Sequence, residues 1–102
     1  MKNQMRAIHP GEILKEEYLV PLGLSVNALA KALHVTPSRI NDIVLCRRGV
    51  TPDTALRLAR YFGGDAQSWL NLQQSYDLKV AEQSMLKTIL KTVMPMGGIA
   101  LA

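Results

Sequence analysis

The fold is decided by the stretch Thr36-Pro37-Ser38-Arg39-Ile40-Asn41-Asp42-Ile43-Val44. Thr36 can cap a helix whose first residue is Pro37, where the missing N–H costs nothing. The apolar residues Ile40, Ile43 and Val44 recur at helical spacing, so one side of this helix is predicted to pack inward. The opposite side presents hydrogen-bonding groups only: Ser38, Arg39, Asn41 and Asp42.

A second short helix precedes this stretch. Ser25 is predicted to cap it, and its apolar residues recur at i, i+3, i+4 and i+7: Val26, Leu29, Ala30 and Leu33. Only His34 and Val35 separate the two helices, and histidine tolerates the left-handed backbone that such a turn needs. The pattern is typical of a helix-turn-helix, which lays its second helix in the major groove of DNA.

The flanking sequence predicts further helices and no sheet. Pro10 opens the first helix, which ends at Gly23 and buries Ile13, Leu14, Tyr18 and Leu22. Thr51-Pro52-Asp53 opens a core helix that ends at Gly63, and Asp65 caps another that runs to about residue 82. Residues 84–93 have the pattern of a sixth, short helix. We therefore predict an all-α bundle of five or six helices.

The composition predicts one folded domain. The chain has 102 residues, of which 48% are hydrophobic and 20% charged. Its single cysteine, Cys46, excludes an internal disulfide and fits a reducing cytoplasm. The N-terminus lacks the apolar core of a secretory signal, and Pro95 and Gly97 interrupt an apolar C-terminal run already too short to span a bilayer.

Positive charge is concentrated in the predicted reading half. Six basic and two acidic residues lie between positions 25 and 64, whereas the rest of the chain carries six of each. The net charge of +4 therefore belongs to the segment that holds the helix-turn-helix. Arg47 and Arg48 follow the second helix and are predicted to contact DNA phosphates, with Gly49 supplying the turn.

No pattern in the sequence indicates an enzyme. His9, His34 and Cys46 form no nucleophile–base pair and have no metal-ligand spacing, so we predict no catalytic residue, no metal and no cofactor. Trp69 and Tyr76 recur at helical spacing, which is typical of a core or an interface.

Four segments in order resemble the HigA antitoxins, also called VapI-type proteins, of the Xre helix-turn-helix class. They are Ile8-His9-Pro10-Gly11-Glu12-Ile13-Leu14, the run from Leu29-Ala30 through Ile40-Asn41-Asp42-Ile43, residues 51–63, and Ser68-Trp69-Leu70-Asn71-Leu72-Gln73. The resemblance covers residues 8–82 and implies a lambda-repressor-like helix-turn-helix domain there. Residues 1–7 are then an N-terminal tail, and residues 83–102 a C-terminal extension that ends in an apolar tail.

The resemblance implies a bacterial, cytoplasmic homodimer that binds a palindromic operator, associates with the nucleoid when bound, and neutralises a HigB toxin, an mRNA endonuclease. Its base-reading positions fall on Thr36, Ser38, Arg39 and Asp42, with Asn41 nearby and Arg47 and Arg48 as backbone contacts. Three positions depart from the common pattern: His34 replaces a turn glycine, Leu45-Cys46 replaces Asn-Gly, and Asp42 stands where some relatives have a basic residue.

The side chains suggest how bases are read. Arg39 can donate a bidentate pair to guanine, Asn41 can pair with adenine, and Asp42 can accept from cytosine. Two copies about 34 Å apart would read successive major grooves, so we expect a dimer, joined through the fifth helix and the segment after it. Two alternatives remain open, namely an Xre-family repressor without a toxin partner and an interaction adaptor that does not bind DNA.

Overall fold

A computed structural model describes residues 6–98, and this part of the chain folds into five helices without a strand. Helix α1 covers residues 10–22, α2 is Val26–Leu33, α3 is Pro37–Val44, α4 is Pro52–Phe62 and α5 is Ala66–Thr92. A 3-10 turn at Met96–Gly98 follows. The all-α prediction is confirmed. Most of the N-terminal tail and the last residues of the apolar tail lie outside the described range.

Helix α1 contains a π-helical segment that the sequence pattern did not predict. It consists of an α-helical turn at Pro10–Ile13, a π-helical segment at Leu14–Leu19 and a last α-helical turn at Val20–Leu22. The wider π-helical turn shifts the inward face, so that Leu19 is buried and Leu22 is 63% exposed. The expected burial of Leu22 was therefore wrong. The predicted end at Gly23 is confirmed, since this residue has left-handed backbone angles.

The core lies where α1 to α4 meet the first half of α5. Its fully buried side chains include Leu14, Leu29, Ile40, Ile43 and Leu58, and each comes from a position that helical periodicity marks as inward. Tyr18 packs between Phe62 and Trp69, with ring centroids 4.6 and 5.4 Å away. Aromatic contacts thus join α1, α4 and α5 and fix the frame that carries the helix-turn-helix.

Helix α5 is longer than the sequence pattern predicted. It runs without a break from Ala66 to Thr92, so residues 84–92 continue it and do not form a sixth helix. Twenty-seven residues make a rod of about 40 Å, and the described chain is accordingly 55 Å long and 24 by 22 Å across. Every residue from Glu82 to Gly97 is exposed, so the second half of α5 extends beyond the bundle. The predicted domain limit at residue 82 falls inside this helix and stays a prediction.

None of the helices within residues 6–98 is long and apolar enough to cross a membrane.

Candidate nucleic-acid interface

Helix α3 is fixed by its cap and by two buried side chains. The backbone N–H of Arg39 donates to Oγ1 of Thr36 at 3.3 Å, and Pro37 occupies the first helical position, as predicted. Ile40 and Ile43 are fully buried, and Val44 is half-buried against the same core. Since these three side chains hold one side of α3 inward, the opposite side is held toward solvent.

The outward side of α3 is polar and accessible. Ser38 and Asn41 are exposed there, and Thr36 is exposed at its start, with its Oγ1 3.2 Å from Oγ of Ser38. A shallow groove separates this side from the N-terminus of α2, lined by Ser25, Val26, Asn27, Pro37, Ser38 and Asn41. Sequence reasoning missed Asn27, whose only signal is its place two residues after the capping Ser25. The groove brings donors and acceptors from two helix starts onto one face.

Both helices of the pair end in the same hydrogen-bonding motif. At the end of α2, His34 has left-handed angles (φ 59°, ψ 45°) and Val35 donates its N–H to Ala30 O at 3.0 Å. At the end of α3, Cys46 is left-handed (φ 64°) and Arg47 donates its N–H to Asp42 O at 2.8 Å. His34 therefore makes the turn as predicted. The turn after α3 is made by Cys46, so assigning it to Gly49 was wrong.

Gly49 has a different role, which is close packing. A Cβ at this position would lie 2.9 Å from the carboxamide of Gln73 on α5. The oxygen of that carboxamide accepts the backbone N–H of Val50 at 2.8 Å. Gln73 therefore anchors the loop that carries the two predicted phosphate-binding arginines, a role that no sequence motif indicated.

Asp42 lies between these two arginines. Its carboxylate oxygens are 3.7 Å from Nη1 of Arg47 and 3.6 Å from Nη2 of Arg48. The Asp42 side chain is 29% exposed, whereas those of Arg47 and Arg48 are 69% and 48% exposed. Both arginines thus remain accessible at the end of α3, with one acid beside them.

Arg39 lies at the side of α3 and reaches the next helix. Its Nη1 donates to Oδ2 of Asp53 at 2.6 Å, and the same oxygen accepts from Nε of Arg57 at 3.0 Å. These hydrogen bonds, with that of Arg57 the stronger influence, hold the pKa of the Asp53 carboxyl below its ordinary value. Sequence reasoning placed Asp53 only as an acid in the first turn of a helix and missed this contact.

In the described structure, His9, His34 and Cys46 each lie at the end of a helix. His9 is buried and caps α1, because its Nδ1 accepts the N–H of Gly11 at 2.8 Å. Desolvation raises the pKa of the Cys46 thiol, which is opposite to the shift that activates a nucleophile. Within residues 6–98, no three His, Cys, Asp or Glu side chains are grouped so that they could hold a metal ion.

Comparison with known sequences identifies related regulators. A family model described as Helix-turn-helix matches residues 14–69. Virulence-associated protein I of Dichelobacter nodosus is 77% identical over 82 residues, which cover 80% of this chain and 76% of that protein. The uncharacterized HTH-type transcriptional regulator YbaQ of Escherichia coli K12 is 42% identical over 74% of this chain and 67% of its own length. Antitoxin HigA-1 of Vibrio cholerae is 36% identical over 76% of this chain and 72% of its own length.

Solved structures with the same fold include complexes with DNA. The Pseudomonas aeruginosa antitoxin HigA with the higBA promoter superposes with a TM-score of 0.87 at 46% identity and covers 89% of this chain and 99% of its own. The antitoxin GraA in complex with its operator also gives a TM-score of 0.87, at 44% identity, over 98% of this chain and 99% of its own. The likeness to GraA extends to almost the whole chain, including the second half of α5.

Proposed function

This chain belongs to the HigA-type antitoxins of the helix-turn-helix family, and we propose that it represses its own operon as a dimer and neutralises a HigB-type mRNA-endonuclease toxin. The observation that carries the proposal is the outward polar side of α3, which Ile40 and Ile43 hold in place. The same fold occurs in one antitoxin solved with promoter DNA and in another solved with its operator. The protein itself acts by binding and not as an enzyme. An antitoxin that regulates a bacterial operon works in the cytoplasm, and it is associated with the nucleoid when it is bound to its operator.

The exposed polar residues of α3 are suited to reading base edges. Asn41 has the amide that pairs with adenine, and Ser38 and Thr36 offer hydroxyls that donate or accept. Arg39 supplies a guanidinium for guanine, and the carboxylate of Asp42 can accept from cytosine while it holds its two arginines. Each good bidentate pair contributes about 1–3 kcal/mol of discrimination between bases.

Arg47 and Arg48 are suited to binding phosphates on the strand beside the groove. Their side chains are 69% and 48% exposed, and phosphate contacts set the position of a protein on DNA without reading its sequence. The anchor from Gln73 to Val50 holds their loop against the bundle. The net positive charge of the chain belongs to residues 25–64, the segment that contains this loop, and positive charge favours binding to the DNA backbone.

The second half of α5 supports a dimer. Trp69, Leu72 and Tyr76 face the bundle in the first half of the helix, but the apolar side rotates by about 160° between Trp69 and Met85. Leu78, Met85, Leu86 and Ile89 then form an exposed stripe that the chain's own bundle does not cover. A second copy related by a two-fold axis would bury the stripe and duplicate the reading helix, as a palindromic operator requires.

DNA binding is tested by gel retardation with the full-length protein and the duplex immediately upstream of its own gene. We expect that duplex to be shifted in the presence of excess scrambled DNA of the same composition. Replacing Ser38 and Asn41 together by alanine should abolish this preference. If the wild-type protein bound the upstream and the scrambled duplex with equal affinity, the proposal of operator binding would be overturned.

Toxin neutralisation is tested in cells with the gene that neighbours this one. We expect expression of the neighbour to arrest growth and co-expression of this chain to restore it. A neighbour that leaves growth unchanged would support the second candidate, an Xre-family repressor without a toxin partner. That candidate is favoured by one observation, the 42% identity to a protein named only as a transcriptional regulator. The operator complexes of HigA and GraA disfavour an adaptor that does not bind DNA.

A further inference from the structure

We propose that Asp53 on α4 is a specificity-determining residue that positions Arg39 for guanine and does not itself touch DNA. This inference rests on the proposed DNA-binding function and adds a role that lies outside the helix-turn-helix pair. It is carried by a chain of polar contacts that joins three helices: the end of α2, the first turns of α4 and the side of α3.

The chain of contacts begins at a fixed backbone atom. Leu33 is 4% exposed, and its carbonyl oxygen at the end of α2 accepts from Nη1 of Arg57 at 2.8 Å. Nε of Arg57 donates to Oδ2 of Asp53 at 3.0 Å, one helical turn back along α4. Arg57 therefore contacts α2 and Asp53 at once, which restrains the carboxylate to one orientation.

The restrained carboxylate in turn holds one edge of the Arg39 guanidinium. Nη1 of Arg39 donates to Oδ2 of Asp53 at 2.6 Å and lies 3.5 Å from Oγ1 of the buried Thr54. The other edge of the guanidinium, formed by Nε and Nη2, makes no hydrogen bond within residues 6–98. A guanidinium is planar and presents its donors as a fork, so fixing Nη1 also fixes the direction of this second edge.

The available edge has the geometry that guanine requires. Two parallel N–H groups of one arginine can donate to O6 and N7 of guanine, which is the commonest specific contact in the major groove. An arginine held in place before binding loses less side-chain entropy when it forms that pair. Asp53 thus makes Arg39 a better discriminator, although its negative charge weakens the attraction to DNA of any sequence.

These two effects have opposite signs and can be measured separately. Removing the Asp53 carboxylate should raise affinity for unrelated DNA, because a negative charge is lost, and should lower the ratio of affinities between guanine and other bases. If Asp53 only competed with DNA for Arg39, its removal would free the guanidinium for guanine, which would raise affinity for the preferred duplex and raise that ratio. The ratio is therefore the quantity that decides.

The experiment uses the full-length protein and a duplex that it enriches from a randomised library. Affinities are measured for this duplex and for versions in which each guanine is replaced in turn. Arg39→Ala identifies the guanine that Arg39 reads, as the position where discrimination is lost. Asp53→Ala should then lower discrimination at that same position about tenfold and leave the other positions unchanged. The double variant, which carries both Arg39→Ala and Asp53→Ala, should discriminate at that position as well as the single variant Arg39→Ala does.

Glu16→Gln is the matched control. It removes one negative charge from an exposed carboxylate on α1. It should therefore change the affinities for all duplexes alike and leave the ratio between guanine and other bases unchanged. Thr51 keeps the cap of α4 in Asp53→Ala, and Asp53→Asn provides a second variant that keeps the size of the side chain. Circular dichroism checks that each variant is folded.

Unchanged or raised discrimination in both Asp53 variants overturns the inference, as does an Arg39→Ala variant that loses discrimination at no position. Both results leave the proposed function standing, because the wild-type protein still selects a duplex. Failure of the wild-type protein to enrich any duplex overturns the proposed function, and the inference with it.

Discussion

The backbone N–H of Val50 donates a 2.8 Å hydrogen bond to the side-chain oxygen of Gln73, 23 residues further along the chain. Val50 is 4% exposed, and Nε2 of Gln73 is itself held by Asp77 at 2.9 Å. A Cβ at Gly49, which directly precedes Val50, would displace the same carboxamide. The loop with Arg47 and Arg48 is therefore positioned by α5, so the helix proposed to join two copies also supports the proposed phosphate contacts.

Gln73→Ala should lower the free energy of unfolding by about 1–3 kcal/mol, because it leaves a nearly buried backbone N–H without its acceptor. The measurement is urea denaturation followed by circular dichroism. Gln74→Ala is the matched control, since Gln74 is exposed on the same helix, and it should change stability by no more than about 0.5 kcal/mol. Equal effects of the two substitutions would show that the hydrogen bond to Val50 contributes nothing.

Arg47→Ala combined with Arg48→Ala should weaken binding to all DNA sequences alike. The slope of log affinity against log salt concentration should become shallower by about two units, because two phosphate contacts are lost. Filter binding over a series of salt concentrations measures both quantities. The control is Lys87→Ala combined with Lys91→Ala, which removes the same charge from the far end of α5. A control that flattened the salt dependence equally would argue against a local phosphate contact.

The helix starts could be predicted from the sequence because each is determined by one local hydrogen bond. Ser25, Thr36, Thr51 and Asp65 all cap as predicted, each accepting the N–H three residues later. The outward side of α3 was predictable for a similar reason, since Ile40 and Ile43 are fixed by periodicity alone. The roles assigned to the residues on that side stay predictions.

The π-helical segment could not be predicted from apolar periodicity, which assumes a constant helical pitch. The backbone N–H of Val20 donates to Lys15 O, five residues back, and the next residue is Pro21, which has no N–H to donate. One wide turn before a proline changes which residues of the helix face inward, so Leu19 is in the core and Leu22 is exposed. Pro21 was the feature of the sequence that could have indicated this π-helical turn.

The sequence pattern predicted two helices, one to about residue 82 and one over residues 84–93, where the structure has the single helix α5. No glycine or proline occurs between Asp65 and Pro95, so nothing in the backbone ends the helix before that point. The phase changes near residue 78 because the helix leaves its own bundle there. The contact between Arg39 and Asp53 was beyond prediction for another reason, since it depends on how α3 and α4 cross in space.

Met85→Asp combined with Ile89→Asp should convert the proposed dimer to a monomer. The two changes place charges within the exposed apolar stripe and remove apolar burial that contributes about 3 kcal/mol or more to association, which corresponds to at least about a hundredfold in the dissociation constant. Sedimentation equilibrium measures this dissociation constant. Ser84→Asp combined with Thr88→Asp introduces the same charges at the same spacing outside the stripe and should leave the dimer intact. A wild-type protein that sediments as a monomer would contradict the proposed dimer outright.

The protein should lose stability as the pH falls below about 6.5, before its carboxylates begin to titrate. Burial lowers the pKa of His9 from its ordinary value, and the neutral ring accepts the N–H of Gly11 to cap α1. Below the ordinary pKa the unfolded chain takes up a proton that the folded chain resists, so the free energy of unfolding falls by up to about 1.4 kcal/mol per pH unit. The pKa values of Glu12, Asp53 and Asp65 are also lowered, and the stability that these carboxylates contribute is lost only in more acidic solution.

His9→Asn separates this contribution from the others. Asparagine can still cap the helix but has no proton to take up in this range, so urea denaturation between pH 7.5 and 5 should show a flatter dependence than in the wild-type protein. His34→Asn is the control, because His34 is exposed and asparagine also accepts left-handed backbone angles. If His34→Asn flattened the pH dependence and His9→Asn did not, the buried cap would not be the titrating group.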